Sequence, residues 1–441
     1  MTNRRQLLTG MGSAALSMSV FQRAVAQQSV DGTEFGLEAT DTGDQSGKFQ
    51  MAVDAAAALQ QPLYLAAGTY QISNIAVSRP ITIRGAPGAT LRMGAGDAIL
   101  VLRDCSDVVL EGLTFDGIDA LGRDGALLSI TNAQRITVQN CTFLRAAGTG
   151  IKAHNMQGRI ENCALSDIAD TAIHANDSAG IDILGNIIAR CGNGGIRVWR
   201  SQSGPDGARL SGNRISDIDW VGGGNGQNGN GINVFRADNV GISDNHIVNC
   251  AFSAIRLNAT KNTRVIGNHC QDSGEVSIFS EFGFSGSIIS DNLIDGGAAG
   301  ISMTNFNDGG RLAVCQGNIV RNLLERSPNN PDTVPYGIGV EADAAVTGNV
   351  IEGVPGTGIA VGWGPYLRDV LVNDNMVREC TIGIAVSVAP GAGHARISDN
   401  VVSGSGEHAI IAAQWDAIVS QDLPADASQF PNVAIQGNSV I

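Results

Sequence analysis

The sequence predicts an all-β solenoid: a parallel β-helix of about a dozen coils with a short N-terminal helical cap. Three observations predict it. One turn pattern, apolar-x-[GDN]-[NC]-x-apolar, recurs thirteen times if Leu113 is allowed at its fourth position, with a median spacing of 26 residues. A second signature, small-apolar-x-apolar, falls between successive turns, and its period of two is that of a strand with alternate side chains inward. Glycine makes up 57 of 441 residues, about twice average usage, while only 16 % are charged and no helical stretch separates the strands. Short strands joined by Gly/Asn turns cannot build βαβ units, but they can coil and stack, each coil burying the interior of the last.

The fourth position of the turn pattern is Leu113, Cys141, Cys163, Asn186, Asn213, Asn245, Asn268, Asn292, Asn318, Asn349, Asn375, Asn400 and Asn438. The residue before it is only Gly, Asp or Asn, the types that tolerate left-handed backbone. The asparagine column is expected inside, as an amide ladder holding the turns. Cys141 and Cys163 take its place in adjacent coils, in a structural role or as a disulfide. Cys191, Cys250 and Cys380 follow their ladder residue by five positions, where Ile118, Ile168 and Ile218 stand in other coils, and are expected as buried space-fillers. No C-x-x-C occurs.

Three segments follow in order. Residues 1–26 carry Arg4-Arg5, a modestly apolar stretch and Ala24-Val25-Ala26, which fits a cleaved export signal. Paired arginines followed by Leu7-Leu8 are similar to a twin-arginine (Tat) signal, so periplasmic or secreted placement is expected, with the Tat translocase as export partner. Residues 27–62 contain the capping helix: 46–61 is Ala-rich and amphipathic, with Phe49, Val53, Ala56 and Leu59 on one side. Residues 63–441 are the β-helix. At its far end 414–431, the insertion in the longest repeat, is expected to fold across the strand edge. No run of 18 apolar residues follows the signal, so no membrane span is expected in the mature chain. The net charge of −14 sets the chain against nucleic acid.

The repeats resemble the right-handed β-helix superfamily that includes pectate lyases, polygalacturonases and alginate epimerases. The helix followed by Pro62-Leu63-Tyr64-Leu65-Ala66-Ala67-Gly68-Thr69-Tyr70 is similar to the cap of pectate-lyase-like proteins. Signal, cap and repeats together resemble a bacterial family of Tat-exported β-helix repeat proteins.

The outward positions of the small-Ile-x-Val strands carry the functional expectation. The x column reads Lys152, His174, Arg197, Asn233, Arg256, Ser277, Ser302, Gly339, Ala360, Ala385. The next outward column reads His154, Asn176, Trp199, Phe235, Asn258, Phe279, Thr304, Glu341, Gly362, Ser387. Insertions flank the same strand: Asp219-Trp220 with the glycine-rich 222–231 and 327–335 before it, and 201–207, 281–287, 304–310 and 363–368 after it. Long loops on a rigid scaffold would wall a groove.

Such a groove suits a polysaccharide, in particular an acidic, uronate-containing one, since arginine forks fit carboxylates and aromatic faces fit sugar rings. Arg197, Arg256, Lys152 and His174 are the candidate catalytic residues for β-elimination or epimerisation: the arginines to neutralise a carboxylate, and Lys152, His174 or an arginine as the base. Trp199, Asn233, Phe235, Asn258, Phe279, Glu281, Glu341 and Trp363 are the candidate substrate contacts. The alternative is a non-catalytic carbohydrate-binding or cell-envelope structural protein. A glycoside hydrolase is a further alternative, with Asp238, Glu281, Glu341 and Asp343 as available acids. The acidic triad of polygalacturonases and the acidic-His cluster of epimerases are both absent. No His/Cys spacing suggests zinc. Calcium on groove acids is compatible with the composition but specified by no motif. The six histidines are expected at the surface.

Overall fold

A computed structural model describes residues 29–118, 125–224 and 226–441, and residues 1–26, expected as an export signal, lie outside them. Each coil has three strands, as in Ile255–Asn258, Arg264–Ile266 and His269–Ser273. First and second strands together form one 29-stranded sheet, and the third strands form a sheet of fifteen. Pairing is parallel and in register from coil to coil, with isoleucines stacked through Ile196, Ile232, Ile255, Ile278 and Ile301, all fully buried. The expected alternation is therefore the observed one, and the coils exceed the dozen expected.

The turns form for the reason the sequence gives. All thirteen residues before the ladder position, from Gly112 to Gly437, have φ between 53° and 68°. The small residue before each stacked isoleucine is set by crowding: a Cβ on Gly300 would lie 2.2 Å from the Gly337 carbonyl oxygen. The asparagine ladder runs inside. The Asn245 amide nitrogen Nδ2 donates to Asn268 Oδ1 at 2.9 Å and to the Leu210 carbonyl at 3.0 Å, and the Asn245 backbone N–H donates to the same Asn268 oxygen at 3.0 Å. Cys141 and Cys163 continue the column with thiols that donate to the Leu110 and Val138 carbonyls. All eight cysteines are buried and free, so the ladder cysteines form no disulfide.

Two local expectations are corrected. The helix spans Ser46–Leu59 and buries Phe49, Ala52, Val53 and Ala56, whereas Leu59 is exposed because the chain turns away at Gln60 in the left-handed region. Ile118 is exposed rather than a core filler, because the strand Thr114–Asp116 ends two residues before it. Ile168, Cys191, Ile218 and Cys250 do stack as a buried column. The helix acts as a cap: Gln50 accepts from the Ala76 N–H at 2.8 Å and donates to its carbonyl at 3.0 Å, closing the free edge of Ile75–Val77. At the other end, Ala417–Ser420 pairs antiparallel with His408–Gln414, covering that strand's edge, while Val433–Gln436 and Ser439–Val440 pair on one side. Among the described residues no helix is long and apolar enough to cross a membrane.

Candidate functional site

The first strands set the site, because their outward side chains stack in two columns about 4.8 Å apart per coil. One column runs Lys152, His174, Arg197, Asn233, Arg256 and then Phe279; the other runs His154, Asn176, Trp199, Phe235, Asn258 and then Glu281. The sequence reading placed Ser277 and Phe279 two residues out of register. Ser277 is in fact the small residue before stacked Ile278, buried, with its hydroxyl donating to the Ala299 carbonyl at 3.1 Å. Phe279 thereby stacks against Arg256, and Glu281 against Asn258.

Both arginines are turned into the protein, each with 7 % of its side chain exposed. Arg256 Nε and Nη2 bind Glu281 at 2.7 and 2.8 Å, Nη1 binds Glu275 at 2.8 Å, and the guanidinium carbon lies 5.1 Å from the centre of the Phe279 ring. Glu281 also accepts from Asn258 at 2.8 Å, and Glu275 from Asn330 at 2.7 Å. Arg197 donates to Asn228 at 2.6 Å, lies 3.6 Å from Asp170, and sits 5.1 Å from the Trp199 ring. The geometry thus gives the guanidinium groups protein carboxylates and amides as partners, rather than presenting them to a substrate carboxylate.

Around Arg197 lies an aromatic patch. Trp199 meets Phe235 edge-on at 6.0 Å and donates from Nε1 to Asn233 at 2.7 Å; Asn233 in turn holds the glycine-rich loop through the Gly226 carbonyl. His174 packs edge-on against Trp199 at 5.0 Å and is half-buried, with its Nε2 buried and unbonded to protein. Burial first, and the Arg197 charge second, push its pKa down to about 4, so the imidazole is neutral at pH 7. Lys152 is exposed one coil away. His246 and His269 are half-buried, their rings stacked at 4.7 Å.

Toward the C-terminus the face changes from large side chains to Gly339, Ala360 and Gly362, and these form the floor of a cavity of about 430 Å³. Glu275, Phe279, Tyr336, Glu341, Trp363 and Asp416 line it. Glu341 is 7 % exposed, and its Oε2 accepts the Phe306 N–H at 2.6 Å. Burial pushes its carboxyl up to about 7 against that hydrogen bond, and burial also raises Glu275. Burial raises the Tyr336 hydroxyl to about 12. Trp363 meets Trp415 edge-on at 5.6 Å at the cavity rim and is 44 % exposed, leaving a ring available.

The structure therefore brings Phe279, Glu341 and Trp363 to one cavity, with Arg256, Glu281 and Asn258 in the ion-pair cluster beneath it. Lys152, His174, Arg197, Trp199, Asn233 and Phe235 lie in the earlier coils. Of the other acids considered, Asp343 is pinned by Arg368 and Arg311 on the second strands, and Asp238 accepts the Lys261 N–H. Sequence reasoning missed Glu275, Asn330, Tyr336, Trp415 and Asp416. Two insertions, 327–335 and 414–431, hold or adjoin all of these except Glu275. Among the described residues no group of three His, Cys, Asp or Glu is arranged to hold a metal ion, so the acids give calcium no ready-made cage.

The sequence matches the family described as right handed beta helix region over residues 94–215 and 195–368. No curated protein matches it. Among solved structures it is similar to the N-terminal fragment of gene product 12 of bacteriophage phi29, with TM-score 0.51 and 15 % identity over 88 % of this chain and 71 % of that one. The pre-mature phi29 gene product 12 gives TM-score 0.54 and 14 % identity over 87 % of this chain and 55 % of that one, so the chain spans just over half its length. The Streptococcus pneumoniae surface adhesin PfbA gives TM-score 0.44 and 12 % identity over 79 % of this chain and 89 % of that one. At these identities the phi29 structures share the fold with this chain and nothing finer follows.

Proposed function

The chain belongs to the right-handed β-helix family, and on that scaffold we propose that its first-strand face binds an extended carbohydrate chain and cleaves a glycosidic bond at the Glu341 cavity. One observation carries the reading. Trp199 and Phe235 stack in adjacent coils, and further along the same face Phe279 and Trp363 line a cavity with a small-residue floor, where a carboxyl held near pH 7 borders the open space. Rings bind the apolar faces of sugars, and a carboxylic acid still protonated at mildly acidic pH donates a proton to a departing glycosidic oxygen. Glu341 is assigned that role, and Asp416, which lines the same cavity, the activation of water.

This departs from the uronate chemistry expected from sequence. Elimination or epimerisation needs a cation on the substrate carboxylate, and Arg197 and Arg256 are engaged with Asp170, Glu275 and Glu281. A second reading keeps an acidic chain, supported by Arg103, Lys152 and His154 around a hollow of about 410 Å³ at the early end of the face. Arg4-Arg5 and Ala24-Val25-Ala26 support placing the mature protein outside the cytoplasm, exported through Tat. Incubation with neutral glucans, alginate, pectate and hyaluronan separates the chemistries: new reducing ends without ultraviolet absorbance for hydrolysis, an absorbing unsaturated end for elimination, solvent proton exchange without cleavage for epimerisation, and retention alone for a binder.

A further inference from the structure

Two outward columns far from the groove change character at the same coil. On the second strands the column runs Asp182, Arg209, Gly241, Arg264 and then Ile288, Val314, Ala345, Leu371. On the third strands it runs Arg214, His246, His269 and then Leu293, Ile319, Val350, Met376, Val401. Ile319, Val350 and Met376 are 43 %, 36 % and 45 % exposed, and Ile288 and Leu371 are 40 % and 37 % exposed. An exposed leucine alone needs no explanation, but apolar residues stacked over consecutive coils make a continuous patch of the kind found at interfaces. The internal fold does not require them, because the inward positions Ile294, Val320, Ile351 and Val377 already fill the core.

Two residues along each third strand, facing the same way, stands a charged column: Asp295, Arg321, Glu352, Arg378. Its signs alternate, and within the chain it is paired as Arg321 with Asp295 at 2.7 Å and Arg378 with Glu352 at 3.1 Å. An alternating column of four is complementary to its own reverse. We propose that this face is the contact between two copies of the chain, related by a two-fold axis that runs along the third strands between the Ile319 and Val350 coils. That operation sets Arg321 of one copy against Glu352 of the other and Asp295 against Arg378, while Ile319 meets Val350 and Leu293 meets Met376. An axis along the solenoid would instead set each charge against its own kind, so the charges select the antiparallel arrangement. Symmetric self-complementary contacts of this type are the commonest in homo-oligomers. The face is about five coils long, roughly 20 Å at 4.8 Å per coil, so the area it buries falls in the range of weak, reversible association.

Sedimentation equilibrium of the full chain over a concentration series tests the proposal, with thermal melts reporting that each variant is folded. The expected result is a monomer–dimer equilibrium weakened at least tenfold by Ile319→Asp, or by Met376→Lys should the first variant fail to fold. Arg321→Glu should weaken it similarly, and the double exchange Arg321→Glu with Glu352→Arg, which restores opposite signs across the axis, should recover it to within about threefold of the parent. A chain that stays monomeric at the highest soluble concentration would overturn the proposal. So would a dimer that survives both apolar substitutions, or a double exchange no better than the single one.

Discussion

Arg256 and Glu281 face each other as fork to fork, Nε to Oε1 at 2.7 Å and Nη2 to Oε2 at 2.8 Å, both side chains nearly out of solvent. With Glu275 on the remaining guanidinium nitrogen, one cation holds two buried carboxylates under the cavity. Removing the cation leaves those carboxylates desolvated and unpaired. Arg256→Ala should therefore lower unfolding free energy by about 3–5 kcal/mol, read by denaturant titration. A substrate-facing arginine would behave oppositely, with activity lost and stability unchanged.

The internal ladder makes a separate stability prediction. Asn245→Ala removes the acceptor of Asn213 and both donors of the Asn245 amide, and should cost about 1–3 kcal/mol. Asn245→Cys should cost less, because Cys141 and Cys163 already hold the same position with thiol-to-carbonyl bonds. Equal melting temperatures for the parent and Asn245→Ala would remove the ladder from the account of the fold.

How far the sequence was legible follows from what repeats. Thirteen turn residues, the stacked isoleucines and the ladder recur, so their period fixes the coil and the groove face. The register at Val276–Glu281 was misread because Val276-Ser277-Ile278 fits apolar-x-apolar while Ser277-Ile278-Phe279 fits small-apolar-x, and only stacking on Ile255 decides between them. The cavity was half legible: Glu341 lies in a repeating column and Trp363 on an insertion beside it, but Trp415 and Asp416 arrive on a later insertion that has no period, and Tyr336 opens its strand next to another. The roles of Arg197 and Arg256 were not legible. Outward position on a strand does not say whether a long side chain reaches solvent or folds back onto Asp170, Glu275 or Glu281, which come from distant positions in the sequence.

Glu341 links the cavity to pH. Its carboxyl lies near 7 when folded and near 4.5 ordinarily, so between those values the folded chain binds the extra proton. Stability from this group is thus fully present below about pH 4.5 and is lost as pH rises to about 7, by up to about 3 kcal/mol. Glu341→Gln should lose that slope when compared with the parent over pH 4.5–8, since an amide keeps an acceptor for the Phe306 N–H without titrating. Parallel pH–stability curves for the two proteins would contradict the buried-acid assignment.

Trp199 and Trp363 test the extended groove at its two ends. Trp363→Ala should weaken a chain long enough to reach the cavity by about 0.5–1.5 kcal/mol, the scale of one ring contact, and Trp199→Ala should weaken only longer chains that extend back over the earlier coils. Titration of an oligosaccharide length series by calorimetry separates them. Equal losses on the shortest ligand would deny that the two rings belong to one extended groove.

The most direct test of the central claim compares the parent and Glu341→Gln on the polysaccharide panel, measuring retention and new reducing ends in the same samples from pH 4 to 9. The account predicts that both proteins retain a chain equally, that only the parent generates reducing ends, and that its rate falls as pH rises through about 7, where Glu341 loses its proton. Cleavage by Glu341→Gln at the parent's rate, or no retention of any chain by either protein, would contradict it.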